Sequence, residues 1–286
     1  MLSGFININK KSGLSSNKVL SILKYRLKQN NIKTKVGHFG TLDPIAEGVL
    51  PVALGRATRL FDYSLEKIKV YDAVFEFGVE TDTLDNTGTI IGHGRKNVTA
   101  EEIKSVIPKL VGSVEQVPPT YSAKSVGGVR AYDLARKGKE FVLPPKKVEI
   151  YSIELLDKIK DGVFSFKIRC GGGTYIRSII RDMAAKLGTV GIMTKLTRIQ
   201  SGNFTIDSAC DVDELEDIES KILPIEFLTD GFERYDLTES EYSKVKNGIP
   251  AECQKENGLV TTYYKNDLLG IGKVSDGKIR IKTWLL

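Results

Sequence analysis

An α+β fold in two packed units is what the hydrophobic periodicity of this chain predicts. Residues 70–79 and 163–170 alternate apolar and polar positions, the mark of half-buried strands, whereas residues 15–28 and 176–187 repeat their apolar positions at helical spacing. The last 56 residues hold three short apolar runs and a hairpin turn. A length of 286 residues suits one large domain and one small one, placed here at 1–230 and 231–286.

In chain order, Ser15, Ser16 and Asn17 offer N-cap oxygens to a helix whose apolar stripe is Val19, Leu20, Leu23 and Leu27. Residues 36–55 fit neither helix nor strand. Gly37, Gly40, Pro44, Gly48 and Pro51 predict an irregular backbone, and the apolar residues between them predict that it is packed. Next comes a strand with Tyr71, Ala73, Phe75, Phe77 and Val79 on its buried side. Thr99 and Glu102 form a capping box for a helix carrying Ile103 and Val106, which Pro108 kinks or shortens. Strands follow at 146–156 and 163–170, the second broken by Gly171-Gly172-Gly173. A helix then carries Ile176, Ile179, Ile180, Met183, Ala184 and Leu187 and stops at Gly188. Residues 205–230, rich in acids, read as a solvated helix and connector. The runs 259–264, 268–274 and 279–284, with Asp276-Gly277 as a turn, complete a β-rich module.

The net charge of +6 is unevenly placed. Residues 1–60 hold ten Lys/Arg against Asp43 and Glu47, residues 205–230 hold nine acids against one lysine, and residues 1–204 together carry +13. A basic face of that size attracts polyanions such as nucleic acid, although a solvated surface has the same composition. No apolar run is long enough to span a bilayer and the N-terminus lacks a signal peptide, so a soluble cytoplasmic protein is expected. Cys170, Cys210 and Cys253 lie some forty residues apart, which leaves neither a disulfide framework nor CxxC spacing.

Phosphate-binding glycine motifs of the GxxxxGK[ST] or GxGxxG type are missing, and His38 and His93 are the only histidines. Nucleotide-dependent chemistry, a His-rich metal site and a Ser-His-Asp triad are therefore not expected. Catalysis would run on carboxylates, tyrosines or lysines without a cofactor or metal. Asp43 stands out as a rare acid in the basic segment, followed by Pro44 in the turn Gly37-His38-Phe39-Gly40-Thr41-Leu42-Asp43-Pro44. Its plain reading is an Asx-type turn; the functional one is a carboxylate held among cations that favour its ionised, nucleophilic form. Tyr71 reads equally as a core tyrosine. Tyr175 and Arg177, at the first turn of their helix, have their plain reading as packing and capping residues, with Arg177 able to pair with a carboxylate.

Taken together, GHFGTLDPIAEGVLPVALGRATRL (37–60) closely resembles the signature of the bacterial tRNA pseudouridine synthase B family. The likeness continues in KKSGLSSN (10–17), KVYDAVFEFGVETDTLDNTG (69–88), PPTYSAKSVGGVRAYDLARKG (118–138), GGGTYIRSIIRDMAAKLG (171–188) and LTRIQSGNF (196–204). It implies a pseudouridine-synthase-like, mixed and largely antiparallel sheet flanked by helices, with residues 231–286 as a PUA-like RNA-binding domain. It implies isomerisation of uridine 55 in the T loop of tRNA, with Asp43 as the essential aspartate, Tyr71 as the ring that stacks on the flipped base and Arg177 as the partner of Asp43. His38, Tyr175 and Leu196 fall on substrate-contacting positions. The partner implied is the tRNA T stem-loop, bound by a monomer without guide RNA or membrane, with the acidic connector facing away from the RNA. Phe39 and Glu47 stand where the family usually has threonines, and Asn9 and Lys11 replace its usual Asp and Pro. A non-catalytic tRNA-binding or tRNA-folding protein on the same scaffold, and a guide-RNA-dependent synthase, are the competing readings.

Overall fold

A computed structural model describes residues 2–65, 67–122, 124–126, 128–136, 138, 141–215 and 217–286. Ala123, Gly127 and Lys137 of the segment 118–138, and Glu216 of the acidic stretch, lie outside the described residues.

The large sheet uses β1 (Gly4–Lys10), β2 (Glu47–Leu54), β3 (Lys69–Phe77), β4 (Gly112–Gln116), β5 (Lys146–Lys160), β6 (Val163–Cys170), β7 (Gly191–Ser201) and β8 (Cys210–Asp211). Their order is β8-β1-β2-β7-β3-β6-β5-β4, with Val36–His38 added to β2 and Phe204–Thr205 to β7. Neighbours are antiparallel except β1 with β8 and β2 with β7. This is the mixed, largely antiparallel sheet that was expected. Helices α1 (Ser16–Gln29), α2 (Ala100–Val106) and α3 (Ile176–Lys186) pack on one face. Val19, Leu23, Ile103, Ile179 and Met183 share a core there with Phe75 and Phe166 of the central strands.

On the other face Phe5, Phe39, Val49, Ala53 and Phe204 meet Ile271 and Leu285 of the C-terminal module. That module is a five-stranded sheet of β9 (Glu233–Asp236), β10 (Ala251–Glu252), β11 (Gly258–Tyr264), β12 (Asp267–Ser275) and β13 (Lys278–Trp284) in the order β9-β11-β12-β13-β10. The hairpin turn forms at Asp276 and Gly277, both at positive φ, as an Asp-Gly pair favours.

Two expectations need correction. Residues 36–55 are not irregular throughout, because β2 is a regular strand. Its residues alternate between the helix-side core (Leu50, Val52, Leu54) and the module-side core (Val49, Ala53). A strand covered on both faces has no polar side and loses the two-residue alternation. Residues 205–230 are not a solvated helix either. They form short turns and the edge strand β8, bury Val212, Leu215, Ile218 and Leu228, and exchange two backbone hydrogen bonds between Leu223 and Phe5. Asp211 and Asp213 of this strap hold Lys11 at 3.3 and 2.7 Å, so part of its charge is spent on the basic N-terminal segment.

Candidate active site

Asp43 sits in the loop between Val36–His38 and β2. Its carbonyl accepts from the Ala46 N–H at 3.0 Å, which makes a β-turn with Pro44 in the second position, where a fixed φ suits it. Backbone thus closes the turn, and the carboxylate points instead to the Arg177 guanidinium at 2.9 Å. The Asx-turn reading does not hold.

The loop is gripped from two sides. The N-terminal segment supplies Ser16, whose hydroxyl donates to the Leu42 carbonyl and accepts from the Leu42 N–H, both at 2.9 Å. Ser15, rather than Ser16, caps α1. Lys10 buries its ammonium against the carbonyls of Leu14, Lys11 and Pro44, and Ser12 donates to Ile45. From the sheet, buried Arg198 of β7 donates to the carbonyls of Val49 and Gly40, one on each side of the loop. Gly48 lets the β7 backbone come close: its φ is +100°, and a Cβ there would lie 2.3 Å from the Arg198 carbonyl oxygen.

Arg177 enters from the first turn of α3. Its side chain is 6% exposed, donates to the carbonyls of Thr83 and Tyr121, and lies 3.6 Å from Asp85. Asp85 is itself held by Thr83 and Thr87. Tyr175 forms the N-cap of α3, where its N–H and carbonyl are both engaged by the Gln116 amide of β4. Tyr71 and Leu196 come from adjacent strands β3 and β7, with Tyr71 between Ile168 and Arg198.

Asp43, Tyr71, Tyr175, Arg177 and Leu196 line one cleft of about 240 Å³, together with Phe61, Lys69 and Arg198. His38 does not line it. That residue pairs with Val52 at the sheet edge. Phe39 turns into the core between the two sheets, and Glu47 accepts from Thr197 and pairs with Lys195. Sequence reading missed Ser16 as a clamp, and missed Gln116, Asp85, Lys69 and Arg198. Asp85, Ser16, Lys69 and Arg198 all lay inside the family-like segments at 69–88, 10–17 and 196–204, which carried a signal without a role; Gln116 lies outside every such segment and had none.

Burial sets the protonation of the cleft. It pushes the Asp43 carboxyl above the ordinary aspartate value, opposed by Arg177 and Lys10 and reinforced by Asp85. A third of that side chain stays open to the cleft, at 35% exposure. Burial also raises the Tyr71 and Tyr175 phenols, and it lowers Lys10 and Lys69 to about 8. The cleft therefore offers one accessible carboxylate beside a fixed guanidinium, a protonated phenol and an apolar wall.

The family model described as TruB family pseudouridylate synthase (N terminal domain) matches residues 26–176. The chain belongs to the TruB family. Relatives agree along the full length. A tRNA pseudouridine synthase B of Clostridium perfringens is 37% identical over 100% of this chain and 99% of its own, and one of Francisella philomiragia is 39% identical over 99% and 95%. Among solved structures, a chain of a Cbf5-Nop10-Gar1 complex superposes with a TM-score of 0.71 at 24% identity, covering 99% of this chain and 85% of that one. A chain of an archaeal box H/ACA sRNP Nop10-Cbf5 complex gives 0.69 at 24%, covering 99% and 86%. At that identity the likeness is one of fold, and it fixes the pseudouridine-synthase architecture for this TruB family chain. No helix among the described residues is long and apolar enough to cross a membrane.

Proposed function

We propose that the chain converts uridine 55 in the T loop of tRNA to pseudouridine, as a cytoplasmic monomer that needs neither guide RNA nor cofactor. The observation that carries this reading is the Asp43 carboxylate, paired with buried Arg177 yet open to a cleft that Tyr71 also lines. In this reading the target uridine leaves its stack, at a cost of a few kcal/mol, and its face settles on Tyr71 with Leu196 as the opposing apolar contact. Asp43 acts at the ribose, either by attacking C1′ or by taking the 2′ proton to give a glycal. On both routes the N1–C1′ bond breaks, the uracil turns and a C5–C1′ bond forms, with Asp43 displaced from C1′ on the first route and the proton returned to C2′ on the second; the C5 proton leaves and N1 gains one. No electrons are exchanged with a cofactor. Arg177 orients the carboxylate, and the drying of the cleft by the bound base strengthens that pairing. Tyr175 frames the cleft from the α3 side, and His38 contacts RNA outside it. Residues 231–286 act as the PUA-like RNA-binding domain, residues 1–230 as the catalytic one.

Asp43→Asn tests the reading: it should bind a T-arm RNA with near wild-type affinity and form no pseudouridine, as read by mass-resolved mapping of an unmodified tRNA. Pseudouridine formed by that variant would overturn the role given to Asp43, whereas a parent chain that binds the RNA and forms none would favour a tRNA-binding or tRNA-folding role on this scaffold. Tyr71→Phe should keep the stack and lose turnover if the phenol relays the C5 proton, passing its own to water as it takes the new one.

A further inference from the structure

At the mouth of the cleft stands Phe61, an aromatic side chain that is 39% exposed while lining the same cavity as Asp43 and Tyr71. It opens a short helix, Phe61–Leu65. Its ring is not loose: it meets the buried Phe39 ring edge to face, with centroids 5.6 Å apart and planes at 84°. Phe39 in turn meets Phe5 at 5.5 Å, and Phe5 meets Phe204 at 5.7 Å. A line of aromatic rings therefore runs from the core between the two sheets out to the cleft and ends in a ring open to solvent. Lys69 lines the cavity beside it, and the surrounding residues 1–60 are strongly basic.

We propose that Phe61 is a stacking platform for the base of a nucleotide flanking the flipped uridine. This rests on the functional reading above. Flipping one base out of an RNA loop leaves its neighbours without a stacking partner, and an aromatic face at the rim replaces that partner for either purine or pyrimidine. The ring is held by its contact with Phe39, so little rotamer freedom is lost when a base arrives. Phe39, buried, and Phe61, open to the cleft, thus act as buttress and platform. Tyr71 takes the target base deeper in the cleft; Phe61 takes its neighbour at the entrance.

The test uses the full-length chain and a T-arm hairpin with 2-aminopurine on one or other side of the target uridine. Titrations are made in the Asp43→Asn background and turnover is measured on the parent. Phe61→Leu keeps an apolar contact with Phe39 but has no ring. It should weaken binding by about 5- to 150-fold, the range for loss of one base–aromatic stack, and abolish the change in 2-aminopurine emission. KM should rise with kcat retained. Phe61→Trp should bind at least as tightly as the parent, and the indole it introduces should be quenched by RNA, which keeps the inference testable if Phe61→Leu fails to fold. A parent that makes pseudouridine while Phe61→Leu binds and quenches like it, or an indole that RNA leaves unquenched, overturns the platform alone. A parent that makes no pseudouridine overturns the functional reading and the platform with it.

Discussion

Asp43 and Arg177 form an ion pair in which the two ends differ: the guanidinium is enclosed and bonded to two carbonyls, whereas the carboxylate faces the cleft. Burial raises the carboxyl, so ionisation comes at a higher pH than for a free aspartate. If the ionised form is the reactive one, kcat/KM should rise with pH through an apparent pKa above the ordinary carboxylate value of about 4, and the stopped-assay profile should show that acid limb. The same shift has a stability sign. A folded-state pKa above the unfolded one means the native chain binds the proton more tightly, so this group's contribution falls as pH rises from the unfolded pKa to the folded one. Arg177→Ala removes a cation that serves Asp43, Asp85 and two carbonyls. Leaving the buried Asp85 carboxylate without its cation in this way should cost about 3–5 kcal/mol in urea unfolding, beside the loss of activity. Arg177→Lys should recover part of the stability but little turnover, since an ammonium lacks the planar fork.

At the scale of elements, the reactive loop is positioned by neighbours that carry no chemistry. The segment Lys10–Ser16 and strand β7 hold it between them, and Ser16 supplies both hydrogen bonds to Leu42, the residue before Asp43. Ser16→Ala leaves a buried N–H and C=O without partners, at about 1–3 kcal/mol. Because the loop then relaxes without losing RNA contacts, kcat should fall tenfold or more while Kd for T-arm RNA stays within about twofold; an unchanged kcat would show that the clamp does not position Asp43. Element boundaries were legible where one face was wet: α3, β6 and the capping box at Thr99 all formed as their periodicity predicts. They were illegible in β2, which is dry on both sides, and in the acidic strap, whose Val212, Leu215 and Ile218 recur every three residues as in a helix but are buried on short 3-10 turns and loop.

For the whole molecule, the second core decides how the two sheets behave. Ile271 and Leu285 pack against Phe5, Phe39 and Phe204, Arg59 donates to the Trp284 carbonyl at 2.6 Å, and Tyr63 and Thr283 share a hydrogen bond. A shared apolar core couples the two sheets, so a single unfolding transition is the expected outcome. Trp284 is the only tryptophan and lies in the module's last strand, so its fluorescence should follow the same urea curve as far-UV circular dichroism. Two separated transitions would show that the module melts alone. Charge at this scale is also redistributed: the strap neutralises Lys11, and the remaining basic surface should give RNA binding whose log Kd is linear in log salt.

By itself the sequence determined the α+β class, the strands and helices with one wet face and, through its motifs, the family and the expectation that Asp43, Tyr71 and Arg177 act together. Those features are encoded locally, in periodicity, turn residues and contiguous signatures. Only the tertiary structure decided that Arg177 reaches Asp43 at 2.9 Å, that His38 stays at the sheet edge, and that Ser16, Gln116 and Arg198 fix the reactive loop and helix. Each of these joins residues from separate elements, and a side chain's partner across a fold depends on sheet order and register, which a single sequence does not spell out. Phe61 is the sharpest case: on the sequence it is one more apolar residue, and it becomes a cleft-mouth ring only when β2 and β3 bring it beside Phe39 and Tyr71.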